Sequence, residues 1–327
     1  MSHMKKATLL LAALTSALAP IAVGCGASDA PDSGSGTVVE HVFGVTEVPD
    51  DPQRVVTLGW GSTEAALAVG VVPVAIPNGE GNGGIDDGLH PWVAEFLSDE
   101  GLDAPELLSA NAGAEPPFEE IASYDPDLIL AVEAGLTDTQ YERLSEIAPT
   151  VAHPGEAWAT PWREVITITG DALGEPDRAA DVLAQVDAKT EAARRAHPEF
   201  AGRSITASAI YDDEFYIFTG SEPRSLLLAQ LGFEVESFGQ TEPWYELSFE
   251  HAGQITSDVL LLYFQTEDEA RAFEASAPAR LLTQYREGRV ATVIGGANVA
   301  AVSPPTALSW EWTLDDFTDE LSRAAAH

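Results

Sequence analysis

The sequence contains one cysteine and few basic residues. Cys25 is the only cysteine among 327 residues, so an internal disulfide and a metal centre built from several cysteines are excluded. Lys and Arg together number 16, against 53 Asp and Glu, and the formal net charge is -37. A chain this acidic repels nucleic acid, and its charge is typical of a well-solvated surface.

The sequence motifs of the common enzyme classes are also missing. There is no G-x-S-x-G turn, no G-x-x-x-x-G-K-[ST] phosphate loop and no H-E-x-x-H pair, which removes the usual signatures of hydrolases, nucleotide-binding enzymes and zinc proteases. The histidines beyond the first residues are far apart, at His41, His90, His153, His197, His251 and His327. The sequence therefore predicts no enzyme activity, no cofactor and no directly bound metal ion.

The only long apolar run stands at the start of the chain. Lys5 and Lys6 precede the run from Ala7 to Val23, which ends at Gly24-Cys25 and is too short for a confident membrane span. This pattern resembles the lipobox of bacterial lipoproteins, although Ala22 stands where Leu, Val or Ile is usual. We expect a signal peptide over residues 1–24, lipid on Cys25 and a flexible tether over 25–40. The alternative is an ordinary signal peptide that is cleaved elsewhere.

One pattern occurs twice. Phe118-Glu119 is followed after seven residues by Asp127-Leu-Ile-Leu130, and Phe249-Glu250 is followed after seven residues by Asp258-Val-Leu-Leu261. Each copy predicts a short helix followed by a buried strand, once in each of two α/β lobes. Between them, Pro176 to about Ala196 predicts one long amphipathic helix. We expect an N-terminal lobe over 41–160, bridging helices over 161–198 and a C-terminal lobe over 199–327.

These segments resemble a known family. The stretches EPPFEEIASYDPDLIL, LTDTQYERLSEIAPTV, LGEPDRAADVLAQVDAKTEAARRA and LSFEHAGQITSDVLLL are similar to the iron-siderophore substrate-binding lipoproteins of bacterial ABC importers. The resemblance implies two Rossmann-like α/β lobes joined by a single long rigid helix, with a ligand cleft between them. It also implies a monomer outside the cytoplasmic membrane that carries a ferric siderophore to a permease dimer with its cytoplasmic ATPase. Haem and corrinoid receptors share this architecture and form the alternative.

The repeated acids have a role in the resembled family. There, one glutamate on the rim of each lobe meets an arginine pocket on a permease subunit, and Glu119 and Glu250 occupy those motif positions. Exposed charge pairs favour encounter and register over affinity. The alternative is that each is an ordinary acid at a helix start, where the helix dipole favours a carboxylate.

Aromatic side chains and one arginine form the candidate ligand site. Aromatic residues offer apolar area with a polar handle, and arginine donates to ligand oxygens. We predict ligand contacts from Trp60, Trp92, Trp158, Tyr211, Arg224, Trp244 and Tyr245. The alternatives are loop packing for Trp92 and Trp158, and a surface salt bridge for Arg224. Trp310 and Trp312, near the C-terminus, are predicted to pack in the core.

The scarcity of basic residues bears on the ligand. A ferric tris-catecholate carries several negative charges and would need a cluster of basic side chains, which the sequence does not assemble. A neutral or cationic ferric hydroxamate, or a mixed chelate, fits better. Haem would instead need an axial ligand, for which His153, Tyr211 and Tyr245 are the candidates.

Overall fold

The computed structural model describes residues 37–81, 83–84 and 88–327. The predicted signal peptide, the lipidation site Cys25 and most of the predicted tether lie outside these residues. Residues 37–40, the last four of the predicted tether, instead belong to a strand that pairs in an antiparallel hairpin with the next one. The tether prediction is therefore corrected at its C-terminal end, because the backbone groups of these residues are used in the hairpin.

The N-terminal lobe is an α/β unit built on a five-stranded parallel sheet. The sheet order is β5-β4-β3-β6-β7, and β6 is buried along its whole length, as expected for a central parallel strand covered on both faces. The elements are β1 Thr37–His41, β2 Gly44–Val48, β3 Val55–Thr57, α1 Ser62–Ala68, β4 Ala75–Ile76, α2 Pro91–Glu100, β5 Glu106–Leu107, α3 Phe118–Ser123, β6 Leu128–Ala131, α4 Asp138–Ser145 and β7 Thr150–Ala152.

Two helices carry the chain to the second lobe. They are α5 Trp162–Ala172 and α6 Pro176–Ala196, and α6 has the bounds that the sequence predicts. A proline opens α6 and a short 3-10 turn over Pro198–Phe200 follows it, so the local sequence fixes both ends.

The C-terminal lobe contains a mixed sheet of six strands. Its main order is β11-β9-β8-β12-β13, with β10 beside the start of β8. The strands β8, β10, β12 and β13 are parallel, and β9 is antiparallel to both of its neighbours, β8 and β11. The elements are β8 Ser204–Tyr211, β9 Glu214–Phe218, α7 Pro223–Leu231, β10 Glu234–Val235, β11 Trp244–Ser248, a 3-10 helix Phe249–Gln254, β12 Val259–Phe264, α8 Glu267–Glu274, α9 Ala277–Leu281, α10 Thr283–Glu287, β13 Val290–Ile294, α11 Gly296–Ala301 and α12 Ala307–Ala325.

The bridging helix α6 packs against another helix. The C-terminal helix α12 packs along α6, where the Trp310 indole N–H donates to Thr190 Oγ1 at 2.9 Å and Lys189 pairs with Glu311 at 2.8 Å. Trp310 is buried in a core that includes side chains of both sheets, α6 and α12. The prediction that Trp310 packs in the core is confirmed, and the lobes share one apolar core instead of being linked by a free strut.

Two loops of the N-terminal lobe contact the C-terminal lobe. A methyl group at Gly61, in the loop after β3, would lie 3.7 Å from Thr306 Cγ2 at the start of α12. One at Gly83, in the loop after β4, would lie 2.7 Å from Ala300 Cβ in α11, which follows β13. The loops after β3 and β4 therefore lie against α11 and the start of α12. Among the described residues, no helix is both long and apolar enough to cross a membrane.

Candidate functional site

Each lobe has a cavity at the carboxyl edge of its sheet. In the N-terminal lobe, Leu58 and Gly59 after β3 and Ala134 and Gly135 after β6 line a cavity of about 150 Å³. The strands β3 and β6 are neighbours whose chains leave in opposite directions along the sheet. Such a switch point opens a crevice between the outgoing loops, and this is where open α/β sheets bind ligands.

The Trp158 side chain covers this N-terminal cavity. It is 42% exposed and has a left-handed backbone φ of 60°. Its indole lies directly against Gly135, where an added Cβ would stand 1.9 Å from the indole nitrogen. Trp158 thus lies at a cavity wall, and its contact with ligand stays a prediction. Trp60 is half-buried and follows Gly59, and its backbone N–H donates to the Glu133 carbonyl at 2.9 Å.

The cavity in the C-terminal lobe is larger. It has a volume of about 430 Å³ and lies at the ends of β8 and β12. Among its lining residues are Tyr211, Arg224 and Tyr263. Tyr211 is 55% exposed, and ligand contacts from Tyr211 and Arg224 stay a prediction.

Arg224 is held by rings and one acid. Its guanidinium lies 4.1 Å from the Phe218 ring centre and 5.8 Å from that of Tyr263. Its Nε is 3.3 Å from Glu222 Oε1 but makes no hydrogen bond. Burial raises the pKa of the Glu222 carboxyl even though Arg224 and its backbone N–H oppose the shift. The two side chains are close enough for an ion pair but share no hydrogen bond at Nε. Other N–H groups of the guanidinium can therefore donate to a ligand in the cavity.

The Tyr263 hydroxyl is a second unused donor. It is buried and has no hydrogen-bond partner among the described residues, and burial raises the pKa of its phenol well above the usual range. The phenol is therefore neutral and able to donate. Arg224 lines the cavity with a side chain that is 24% exposed, so a ligand oxygen in the cavity can accept from its guanidinium.

An aromatic row extends from this cavity across three strands. Tyr211 and Tyr216 meet edge to face with ring centres 5.2 Å apart, and Tyr216 stacks on Trp244 at 5.4 Å. Trp244 is 49% exposed. The sequence reasoning missed Tyr216, although its alternation with Phe218 along β9 places both on one face of the sheet.

Three of the predicted site residues are placed differently. Tyr245 follows Trp244 in the same strand, so its side chain points to the opposite face and packs with Phe215 and Ile217. Trp92 is only 4% exposed, and its indole donates to Glu64 Oε1 at 2.8 Å. Its ring also contacts Trp312, which confirms the packing predicted for that residue. His153 is buried, with Nδ1 2.9 Å from the Gly155 carbonyl.

These positions weaken the haem alternative. Of the three candidate axial ligands, Tyr211 lines one of the two cavities described above, whereas Tyr245 faces a core and His153 lies in neither of their described linings. In the described part of the chain, no group of three or more His, Cys, Asp or Glu side chains is arranged to hold a metal ion.

Comparison with known proteins shows consistent similarity. The chain is 27% identical over 246 residues to a probable siderophore-binding lipoprotein, YfiY, of Bacillus subtilis (strain 168), and the match covers 72% of this chain and 71% of the relative. The solved structure of PiaA from Streptococcus pneumoniae TIGR4 in complex with ferrichrome is 29% identical, has a TM-score of 0.76, and is matched over 89% of this chain and 99% of that one.

A periplasmic solute-binding protein of Mycobacterium smegmatis str. MC2 155 is similar to the same extent. It is 30% identical with a TM-score of 0.78, and the match covers 90% of this chain and 100% of that structure. The family model for periplasmic binding proteins matches residues 55–293, from the first strand of the parallel sheet to the last strand of the mixed sheet. The chain therefore belongs to the periplasmic binding protein family.

Proposed function

We propose that this protein is the extracytoplasmic receptor of an iron-siderophore ABC importer. It binds a ferric siderophore between its lobes and delivers it to a permease dimer driven by a cytoplasmic ATPase. The observation that carries the proposal is the pair of cavities at the carboxyl edges of the two sheets, one lined by Trp158 and the other by Arg224 and Tyr263. Relatives named as siderophore-binding and a similar structure holding ferrichrome support it.

The charge of the cavity linings selects among siderophores. Arg224 is the only basic residue among the described linings of the two cavities, whereas Glu115, Asp213 and Glu269 are acidic. A ferric tris-catecholate would bring several negative charges to this surface, and like charges placed together cost affinity. A ferric hydroxamate or mixed chelate that is neutral or cationic is therefore the favoured ligand.

Tryptophan quenching tests the proposed function. The protein is titrated with a panel of ferric hydroxamates, ferric catecholates, haem and cobalamin, and intrinsic fluorescence is followed. Saturable submicromolar quenching by one ferric hydroxamate is the expected result. Quenching by haem or cobalamin alone would assign the protein to the alternative receptor class.

The contact between Gly135 and Trp158 offers a test of the N-terminal cavity. Gly135→Ala places a methyl group where the Trp158 indole now lies, so the indole must leave its place over the cavity. We expect about fivefold to tenfold weaker binding of the ferric hydroxamate, equivalent to about 1–1.4 kcal/mol. Gly155→Ala is the matched control, because an added Cβ there meets no atom within 4 Å. Equal ligand affinities of the two variants would show that Trp158 does not contact the ligand.

We further propose that Glu119 and Glu250 dock the receptor on the permease. Both carboxylates are exposed, Glu119 in the first turn of α3 and Glu250 in the first turn of the 3-10 helix after β11. Their matching places in the two lobes suit a partner with two equivalent subunits. Each leaves its carboxylate free to pair with a basic residue of that partner.

The double variant Glu119→Ala/Glu250→Ala is expected to separate binding from delivery. Ligand affinity should stay within a factor of two, while uptake of radioactive iron by cells with this variant as their only receptor should fall at least tenfold. Asp138→Ala/Glu267→Ala is the control, since both residues are exposed acids in first turns of other helices. Uptake at the wild-type rate by the Glu119/Glu250 variant would refute docking through these carboxylates.

We retain lipidation of Cys25 as part of the proposal, because the apolar run before it has the form of a lipoprotein signal. An acyl chain there would hold the receptor at the outer face of the cytoplasmic membrane, and the residues up to Gly36 would act as a short polar tether. The receptor is proposed to act as a monomer.

A further inference from the structure

The aromatic row of Tyr211, Tyr216 and Trp244 is surrounded by carboxylates. Asp212 and Asp213 form the two-residue turn between β8 and β9, both with left-handed φ angles, of 48° and 64°. The Tyr216 hydroxyl is hydrogen-bonded to Glu246, and this acid together with Asp212 and Glu214 raises the pKa of the phenol. The row is therefore an exposed aromatic surface in a negative field.

The row and Arg224 share one face of the sheet. Trp244 is the strand partner of Phe218, and Phe218 is the ring on which the Arg224 guanidinium lies. Directly paired residues on neighbouring strands have side chains about 5 Å apart. Arg224 and the carboxylates around the aromatic row are therefore close enough for one small chelate to contact both.

The cavity that joins these ends contains groups without partners. Tyr211 and Asp213 line it at the acidic end, and Arg224 and Tyr263 line it at the other. The Tyr263 hydroxyl and Arg224 Nε are buried, and neither has a hydrogen-bond partner among the residues that the structure describes. A ligand that matches this wall has oxygen acceptors at one end and a positive charge at the other.

We propose that Tyr211, Tyr216 and Trp244, with Asp212, Asp213 and Glu246, form a subsite for an ammonium group carried by the ligand. This inference depends on the proposed receptor function and narrows its substrate to linear ferric trihydroxamates with a free amine. Three hydroxamates neutralise ferric iron, so such a chelate has a single positive charge on its amine. Aromatic faces attract an ammonium ion through the ring quadrupole, and nearby carboxylates strengthen the attraction.

A pair of ligands that differ in one charge tests the subsite. Ferric desferrioxamine B has a free terminal amine, and its N-acetyl derivative has the same iron centre without the charge. Calorimetric titration of the wild-type protein is expected to show about tenfold tighter binding of the free amine. In the variant Asp212→Asn/Asp213→Asn/Glu246→Gln this ratio should fall below two, because asparagine tolerates the left-handed turn but carries no charge.

The control variant removes three acids elsewhere. Asp315→Asn/Asp319→Asn/Glu274→Gln changes the net charge by the same amount at exposed positions on α12 and α8, and it should keep the tenfold ratio. Trp244→Leu tests the ring separately and should lower the ratio about threefold.

The outcomes distinguish the subsite from the receptor function. Tight binding of both chelates with equal affinity by the wild-type protein would overturn the ammonium subsite and leave the receptor function standing. A ratio that falls equally in the control variant would also overturn it, because the effect would then come from net charge. If neither chelate nor any other ferric siderophore of the panel binds, the subsite and the proposed function both fail.

Discussion

Replacing Arg224 by methionine is expected to weaken binding of a ferric trihydroxamate about 100-fold. The guanidinium is fixed over Phe218 and near Tyr263, and its Nε has no hydrogen-bond partner. Hydrogen bonds from a charged donor to a ligand oxygen contribute about 1.5–3 kcal/mol, and about 2.8 kcal/mol corresponds to 100-fold in affinity. Methionine keeps much of the packing on the rings but donates nothing. Fluorescence or calorimetric titration measures the change.

Two further variants separate lost recognition from a damaged fold. Arg224→Lys keeps the charge but lacks the planar fork that fits between the rings, so we expect about tenfold weaker binding. Glu222→Gln keeps Arg224 and removes the acid beside it, and its affinity should stay within threefold of the wild type. In the methionine variant the buried Glu222 carboxyl loses the cation that opposes its upward pKa shift, so its protonated form becomes more favourable. A folded Arg224→Met protein with wild-type affinity would exclude Arg224 from recognition.

Much of the architecture could be predicted from the sequence, because the bridging helix and the repeated helix-strand segments have clear patterns over short stretches of chain. The bridging helix has both ends marked, by Pro176 and by the turn after Ala196. The repeated acid and apolar strand identified one unit in each lobe. The second copy nevertheless forms a 3-10 helix instead of an α-helix, and no periodicity shows that α12 would pack along α6. Such packing depends on contacts between residues more than 100 positions apart, as between Thr190 and Trp310.

The site was predicted less completely because strand register decides which side chains face the cavity. Trp244 and Tyr245 look equivalent in sequence, yet successive strand residues point to opposite faces, and only pairing with β9 shows which face is exposed. Tyr263 was not predicted because it lies within the apolar strand β12 and looks like another core residue. Trp92 looks like a loop aromatic, and its burial depends on Glu64, which is 28 positions away.

Burial of two acids near the lobe interface is a further feature that no sequence pattern reveals. Glu64 and Glu133 are both almost fully buried, Glu64 in α1 and Glu133 just after β6. A methyl group at Gly61 would lie within 3.9 Å of both the Glu133 carboxylate and Thr306 Cγ2. Glu133 therefore lies where the N-terminal lobe meets the start of α12. Burial, and secondarily the charge of Glu64, raises the pKa of Glu133 to about 8.

The variant Glu133→Gln is expected to be more stable than the wild type at neutral and alkaline pH. Because the folded-state pKa of Glu133 is about 8 and the ordinary pKa of a glutamate is about 4.5, the folded protein binds this proton more tightly than the unfolded chain does. The stabilisation is fully present below about pH 4.5 and is lost as the pH rises through 8. Glutamine keeps the shape of the protonated acid and does not ionise. We expect a gain of about 2–4 kcal/mol in the free energy of unfolding at pH 8.

Denaturant unfolding of both proteins between pH 4 and pH 9 measures this gain. The difference in free energy of unfolding between variant and wild type should be near zero at pH 4 and rise by up to about 1.4 kcal/mol for each pH unit above 5. It should level off above pH 8, where Glu133 is ionised even in the folded state. Glu119→Gln, at an exposed position, should show no such rise. If the free energy of unfolding of Glu133→Gln ran parallel to that of the wild type across this pH range, the expected pKa shift of Glu133 would be refuted. The buried carboxylate would then be ionised at neutral pH and stabilised by its surroundings.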